Sequence, residues 1–136
     1  IDRLWKGKSD LDLFDHLDGL LSDAEDGSLT FANFVEFDSL YGHPRDVAGY
    51  AHALEWFDAR AGAFLSRMKP GDLAIFTADH GNDPTWKGTD PTRERVPLFL
   101  PGPGPAGTLG VIEGFGFVAE TLREGLASPR TIIDPL

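Results

Sequence analysis

Apolar residues recur along this chain in two rhythms. After Ser9, Leu13, Phe14, Leu17, Leu20 and Leu21 return every three or four positions, which predicts a helix with one apolar stripe. Ser9 is its expected N-cap, Asp10 and Asp12 suit its first turn, and Gly27 ends it or lies just beyond. A longer pattern runs through Val47, Tyr50, Ala51, Leu54, Phe57, Ala61, Phe64, Leu65 and Met68. Pro44 is placed as the first residue of that helix, where its missing N–H costs little, and Lys69-Pro70-Gly71-Asp72 stops it. Phe115 to Leu126 reads as a last helix, weakened by Gly116, and the final residues as a tail. His16 and His52 fall off the apolar stripes and read as surface histidines.

Between the helices the pattern shortens. Ser28 to Phe37, Leu73 to Phe76 and Val96 to Leu100 are apolar runs of strand length, and Thr108 to Ile112 is a further short one. Pro97 confines its strand to an edge or to its first residues, and Pro101 to Pro105 forms a turn. Helices alternating with strands predict an α/β fold, with a mostly parallel sheet flanked by helices. A long polar loop, Gly81 to Arg95, follows the strand at Leu73 to Phe76; loops of that length in a compact domain usually carry function.

The chain has 136 residues, enough for about one domain. No apolar run approaches the roughly 18 residues that span a membrane. With no signal-peptide pattern, the expected setting is cytoplasmic. A chain beginning at Ile1 is expected to be part of something longer. There is no cysteine, so thiolate metal sites and disulfides are excluded. A formal charge of −10 disfavours a nucleic-acid groove, and would repel a phosphorylated substrate unless bound cations reverse the local field.

Two clusters stand at expected strand ends. Asp38 and His43 follow the apolar run at 28–37; Asp79 and His80 follow Phe76. Open α/β sheets bind ligands at that edge. Neighbouring residues of an extended strand point to opposite faces, so Gly81-Asn82 must turn the chain for both to serve one site. Carboxylate and imidazole without thiolate suit manganese, zinc or iron. Two such clusters fit a two-metal site for phosphoryl transfer, which would also answer the charge problem. Taken alone, Asp-x4-His is a weak signal, and a capped polar strand end is the better account of an isolated Asp-His pair; the second cluster reverses that balance.

Longer strings sharpen this. Phe34-Val35-Glu36-Phe37-Asp38-Ser39-Leu40-Tyr41-Gly42-His43, with Arg45-Asp46-Val47-Ala48-Gly49-Tyr50 after it, resembles a block of the phosphopentomutases. So does Thr77-Ala78-Asp79-His80-Gly81-Asn82-Asp83-Pro84-Thr85, with Gly88-Thr89-Asp90 and Thr92-Arg93-Glu94. The Asp-His-Gly-Asn portion is shared across the alkaline-phosphatase superfamily. The resemblance implies residues 1–136 to be the C-terminal portion of a metalloenzyme core domain, without the N-terminal core strands and the substrate cap. It implies interconversion of ribose or deoxyribose 1-phosphate and 5-phosphate, with two Mn2+ ions and a phosphothreonine nucleophile. By motif match, Asp38 and His43 would hold one metal and Asp79 and His80 the other. The phosphothreonine motif is not in this chain, so no catalytic nucleophile is expected here and the chain alone is expected to be inactive. Pro91 stands where the family carries a histidine that completes the first metal's ligand set, and Pro44 where it usually carries arginine. A proline offers a metal no side-chain donor, so that site is expected to be weakened.

Two other readings accompany this one: a non-enzymatic or degenerate metal-binding module, and a relative of the cofactor-independent phosphoglycerate mutases. The expected substrate is a sugar phosphate, with no nucleic-acid or membrane partner. Exposed sheet edges are expected to favour self-association. Lys87, Arg93 and Arg45 could touch phosphate, but the sequence reading makes them solvated.

Overall fold

A computed structural model describes residues 3–92 and 95–127. The tail beyond 127, with Arg93 and Glu94 of the long loop, lies outside the described residues. Helix α1 spans Asp10–Asp23, α2 Val47–Leu65 and α3 Gly116–Ala127; strands β1 and β2 are Phe76–Thr77 and Leu98–Phe99. Among the described residues no helix is long and apolar enough to cross a membrane.

Helix α1 begins as expected: the Ser9 hydroxyl oxygen accepts the Asp12 N–H at 3.2 Å. Its stripe delivers Phe14, which is fully buried. Around that ring stand Phe34 at 5.3 Å, Phe57 at 5.5 Å, Trp56 at 5.9 Å and Phe64 at 6.3 Å between centroids. The last three come from α2, so the aromatic cluster is the joint between the two helices. Phe57 reaches on to Phe76 at 6.1 Å, tying α2 to β1. At the rim Arg60 of α2 donates to Asp15 and Asp18 of α1, both at 2.7 Å, and lies 4.9 Å above the Phe14 ring. These bonds push the Arg60 pKa up.

The sheet departs from the expectation. Among the described residues it is a two-stranded antiparallel ladder, Phe76 opposite Phe99 and Thr77 opposite Leu98, not a mostly parallel sheet. A parallel pair needs a crossover, usually helical. The segment between β1 and β2 holds no helix among its described residues, and it folds back on itself through an antiparallel bridge, Gly81 to Thr92. Both strands are shorter than the runs that predicted them, although the Ala74 N–H extends the contact to the Pro101 carbonyl at 2.9 Å. Residues 108–112 form no strand.

The largest correction concerns Ser28 to Phe37. The segment forms no strand up to Val35, then turns helical. The buried Asp10 carboxylate is the cause: it accepts the Val35 N–H at 3.0 Å and the Glu36 N–H at 3.1 Å. Those N–H groups open a helical turn instead of a ladder, because an acceptor at a turn's start satisfies orphan donors. A π-helical turn, Phe37–Gly42, follows. Pro44 is likewise not a helix start. It lies in a tight turn, and α2 begins after Asp46, whose carboxylate accepts the Gly49 N–H at 2.9 Å.

Candidate functional site

The π-helical turn brings Asp38 and His43 together. At ordinary α-helical pitch, residues five apart lie about 140° round the axis from one another. Here the backbone bonds widen to five residues: the His43 N–H donates to the Asp38 carbonyl at 2.8 Å, and the Asp46 N–H to Tyr41 at 2.9 Å. His43 Nε2 then stands 3.0 Å from Asp38 Oδ2. Such turns are rare and concentrate at functional sites.

The rest of the site is polar and tied across the chain. Asn82 Nδ2 donates to the other Asp38 oxygen at 2.6 Å. His43 Nδ1 meets the Thr89 carbonyl in a short hydrogen bond. A carbonyl can only accept, so Nδ1 donates in this contact, and Nε2 is the ring nitrogen turned toward Asp38. Gly42 is buried, and a Cβ there would collide with the Asn82 amide. Tyr50 packs on Phe37 at 5.9 Å; burial, and then the Asp38 charge, push its pKa up.

Arg45 holds the long loop against this turn. Its Nε donates to the Gly88 carbonyl at 2.5 Å, Nη1 to Asn82 Oδ1 at 2.7 Å and the Asp83 carbonyl at 2.9 Å, and Nη2 to the Asp90 carbonyl at 2.6 Å. The expectation of a solvated Arg45 is therefore overturned: it is half-buried and nearly all its N–H groups are engaged. The loop is also pinned from its own side. The Thr92 N–H donates to the Gly81 carbonyl at 3.1 Å, and Thr92 Oγ1 accepts the Asp83 N–H at 3.1 Å. Asp83 accepts from the Thr85 hydroxyl and N–H, which hold its pKa below the usual carboxylate range. Pro91 sits exposed between Asp90, held by Arg45, and Thr92, held by Gly81.

Asp79 and His80 occupy the bend after β1. The Asp79 side chain is 92% exposed, and its Oδ2 is 3.9 Å from His80 Nε2. His80 N–H donates to Asp79 Oδ1 at 3.1 Å, while its ring Nδ1 lies 3.1 Å from the Gly81 carbonyl. The two predicted pairs are joined through Asn82, two residues beyond His80 and hydrogen-bonded to Asp38. They do not merge: among the described residues no three His, Asp or Glu side chains converge as a metal cluster.

The Asp38–His43 pair nevertheless suits a metal. Two donors bound to one ion at about 2.1 Å and at right angles stand about 3.0 Å apart. The observed separation matches that bite. A backbone carbonyl on the far ring nitrogen is also the usual second partner of a ligating histidine. The Asp79–His80 pair has suitable donor atoms, with Nε2 free in the neutral ring, but its atoms are not drawn together to the same degree.

Against this geometry the comparisons are consistent. A family model described as Metalloenzyme superfamily matches residues 4–128. The chain belongs to the Metalloenzyme superfamily. The superfamily implies a metal cofactor and an α/β fold, which the helices and short sheet express in part. Similar proteins named phosphopentomutase include that of Sinorhizobium medicae strain WSM419, 51% identical over 99% of this chain and 32% of its own length. That of Chelativorans sp. strain BNC1 is 54% identical over 95% of this chain and 32% of its own, and that of Rhizobium meliloti strain 1021 is 51% identical over 93% and 31%. The chain thus spans about a third of the length of the curated relatives it matches.

Proposed function

We propose that this chain supplies the metal-holding loops of a phosphopentomutase active site. The observation that carries the proposal is the Asp38–His43 bite at 3.0 Å, built by a π-helical turn in a chain about half identical to proteins of that name. Asp38 and His43 would hold one ion, and Asp79 and His80 would contribute to a second. Manganese is the ion that the resemblance to phosphopentomutases implies, and oxygen and imidazole donors are compatible with it as they are with zinc or iron. When bound, the ions would supply charge neutralisation for a transferring phosphoryl group. This chain's own residues orient the donors: Thr89 holds the His43 ring through Nδ1, Asn82 holds one Asp38 oxygen, and Arg45 holds Asn82. The substrate class is a ribose or deoxyribose phosphate. A cytoplasmic place in nucleoside breakdown goes with that substrate.

The test is to replace the matching third of the Sinorhizobium medicae protein with this chain, with Pro91 and with Pro91→His, and to measure sugar-phosphate interconversion and Mn2+ binding by calorimetry. The expected result is weak metal binding and low activity with Pro91, and roughly a tenfold or greater gain in metal affinity with histidine. Folded chimaeras that bind manganese but do not interconvert the sugar phosphates would overturn the substrate class. Folded chimaeras that bind no manganese in either form would overturn the metal assignment.

A further inference from the structure

Arg45 is set apart by its backbone as well as its side chain. Its φ is 59°, the one non-glycine residue at positive φ among the described residues. That left-handed region is disfavoured for side-chain-bearing residues and persists where the surroundings over-determine it. Here the surroundings are plain. The guanidinium forks between the Gly88, Asp83 and Asp90 carbonyls and the Asn82 side chain. Its backbone is held as well: the Arg45 N–H donates to the Gly42 carbonyl, and the Arg45 carbonyl accepts the Val47 N–H, both at 3.1 Å.

Glycine would adopt that φ without strain, yet it carries no fork, and a lysine would carry the charge without the planar geometry. Gly42 gives an independent sign of the same arrangement, since any side chain there would strike the Asn82 amide that Arg45 orients. From Arg45 the polar chain runs unbroken: Arg45 to Asn82, Asn82 to Asp38 Oδ1, Asp38 Oδ2 to His43 Nε2, and His43 Nδ1 to Thr89, whose loop neighbours Gly88 and Asp90 return to Arg45. The ring is closed on both sides of the candidate donors.

We infer that Arg45 is a positioning residue: it closes the 81–92 loop onto the π-helical turn and so sets the aim of the His43 ring and of the Asp38 carboxylate, acting through Asn82 and Thr89. Its donors are directed at carbonyls of this chain, so it serves the site without touching the phosphate itself. The inference rests on the metal reading above only for its affinity arm.

The experiment uses Arg45→Lys, Arg45→Gly and Asn82→Ala in the full chain. In metal-free protein the ring 15N shifts of His43 report the hydrogen bonding of both ring nitrogens, and hydrogen exchange of the Thr92 amide reports loop closure. Calorimetry with Mn2+ alone reports the site, and a thermal melt reports the fold. The expected result is a single, sharply defined His43 ring environment in the parent, averaged ring signals and faster Thr92 exchange in both Arg45 variants, and averaged ring signals without faster exchange in Asn82→Ala. Manganese affinity should fall about tenfold or more in all three. A merely structural arginine would lower the melt and leave the His43 ring signals unmoved, and that outcome overturns the inference. So does an Arg45→Gly variant with parental ring signals, since relief of the left-handed backbone would then be all that matters. If the parent binds no manganese, the metal reading fails, while the ring and exchange signals still decide the role of Arg45.

Discussion

Phe14 and Arg45 do comparable work in two regions of the molecule. Phe14 is fully buried, and four aromatic rings from α2 and the preceding segment close around it. Arg45 is half-buried, and its surroundings are carbonyls and one amide. Apolar packing is non-directional and tolerates small shifts of the partners. The arginine network holds only while each donor faces its acceptor. The helical side is therefore expected to set whether the chain folds, and the loop side to set how well the donors are aimed.

The sharpest way to break that division is Phe14→Ala. Removing a large aromatic from a packed core costs about 3–5 kcal/mol. Small domains have only about 5–15 kcal/mol in total, and here Phe14 and Phe64 are the buried apolar side chains among the described residues. The expected outcome in a denaturant titration is a chain largely unfolded, with the site lost because the fold is lost. A Phe14→Ala chain that melts like the parent would show that the aromatic cluster is not the core.

Asp10 sits on the border between the two regions and gives the next effect. It belongs to α1, yet its carboxylate opens the π-helical turn. Asp10→Ala leaves two N–H groups short of a partner, at about 1–3 kcal/mol. Its pH signature has a definite sign. Burial, the largest cause, raises the Asp10 pKa above its ordinary 3.8, against the lowering effect of the two N–H groups. The folded state thus favours the protonated form. The contribution of this group is full in acid and is lost as pH rises through the raised folded value. Parent stability minus Asp10→Asn stability should therefore fall as pH climbs from about 3.8 upward. A difference that rises with pH would reverse the assigned cause. The Asp10→Ala chain should also lose the close Asp38–His43 approach, which ring 15N shifts would register.

Legibility divides along the same line. The Ser9 cap, the α1 stripe and the run of apolar positions in α2 are local patterns, repeated every three or four residues, and the structure follows them. The Asp38, His43, Asp79 and His80 pairs were legible as donor types, because carboxylate and imidazole at a strand end suggest a metal. Their geometry was not. Ser28 to Phe37 has strand composition, but a carboxylate 25 residues upstream captures its N–H groups and turns it helical. The direction of the sheet depends on how residues 78–97 return, which no period in that loop announces. Arg45 looked solvated because its acceptors lie 37 to 45 positions away. The one clue was spacing: Asp38 and His43 lie five positions apart and cannot share a face at α-helical pitch, so either the pair was accidental or the turn was wide.

Arg60 gives the smallest effect and tests the comparison from within the helical side. Its guanidinium is paired with Asp15 and Asp18 and stacked over Phe14. If the helical side owes its stability to apolar burial, Arg60→Ala should cost only about 1 kcal/mol, the scale of a partly exposed ion pair with a cation–π contact of similar size. Salt separates the two parts. Ion pairs at the surface weaken when the screening length shrinks to about 3 Å at 1 M, whereas the guanidinium plane stays on its ring. The loss should therefore shrink at high salt but not vanish, and Arg60→Lys should retain the screened part and give up the stacked one. A loss as large as that of Phe14→Ala would mean that the helical side, too, is held by directed polar contacts, and the contrast with the Arg45 loop would dissolve.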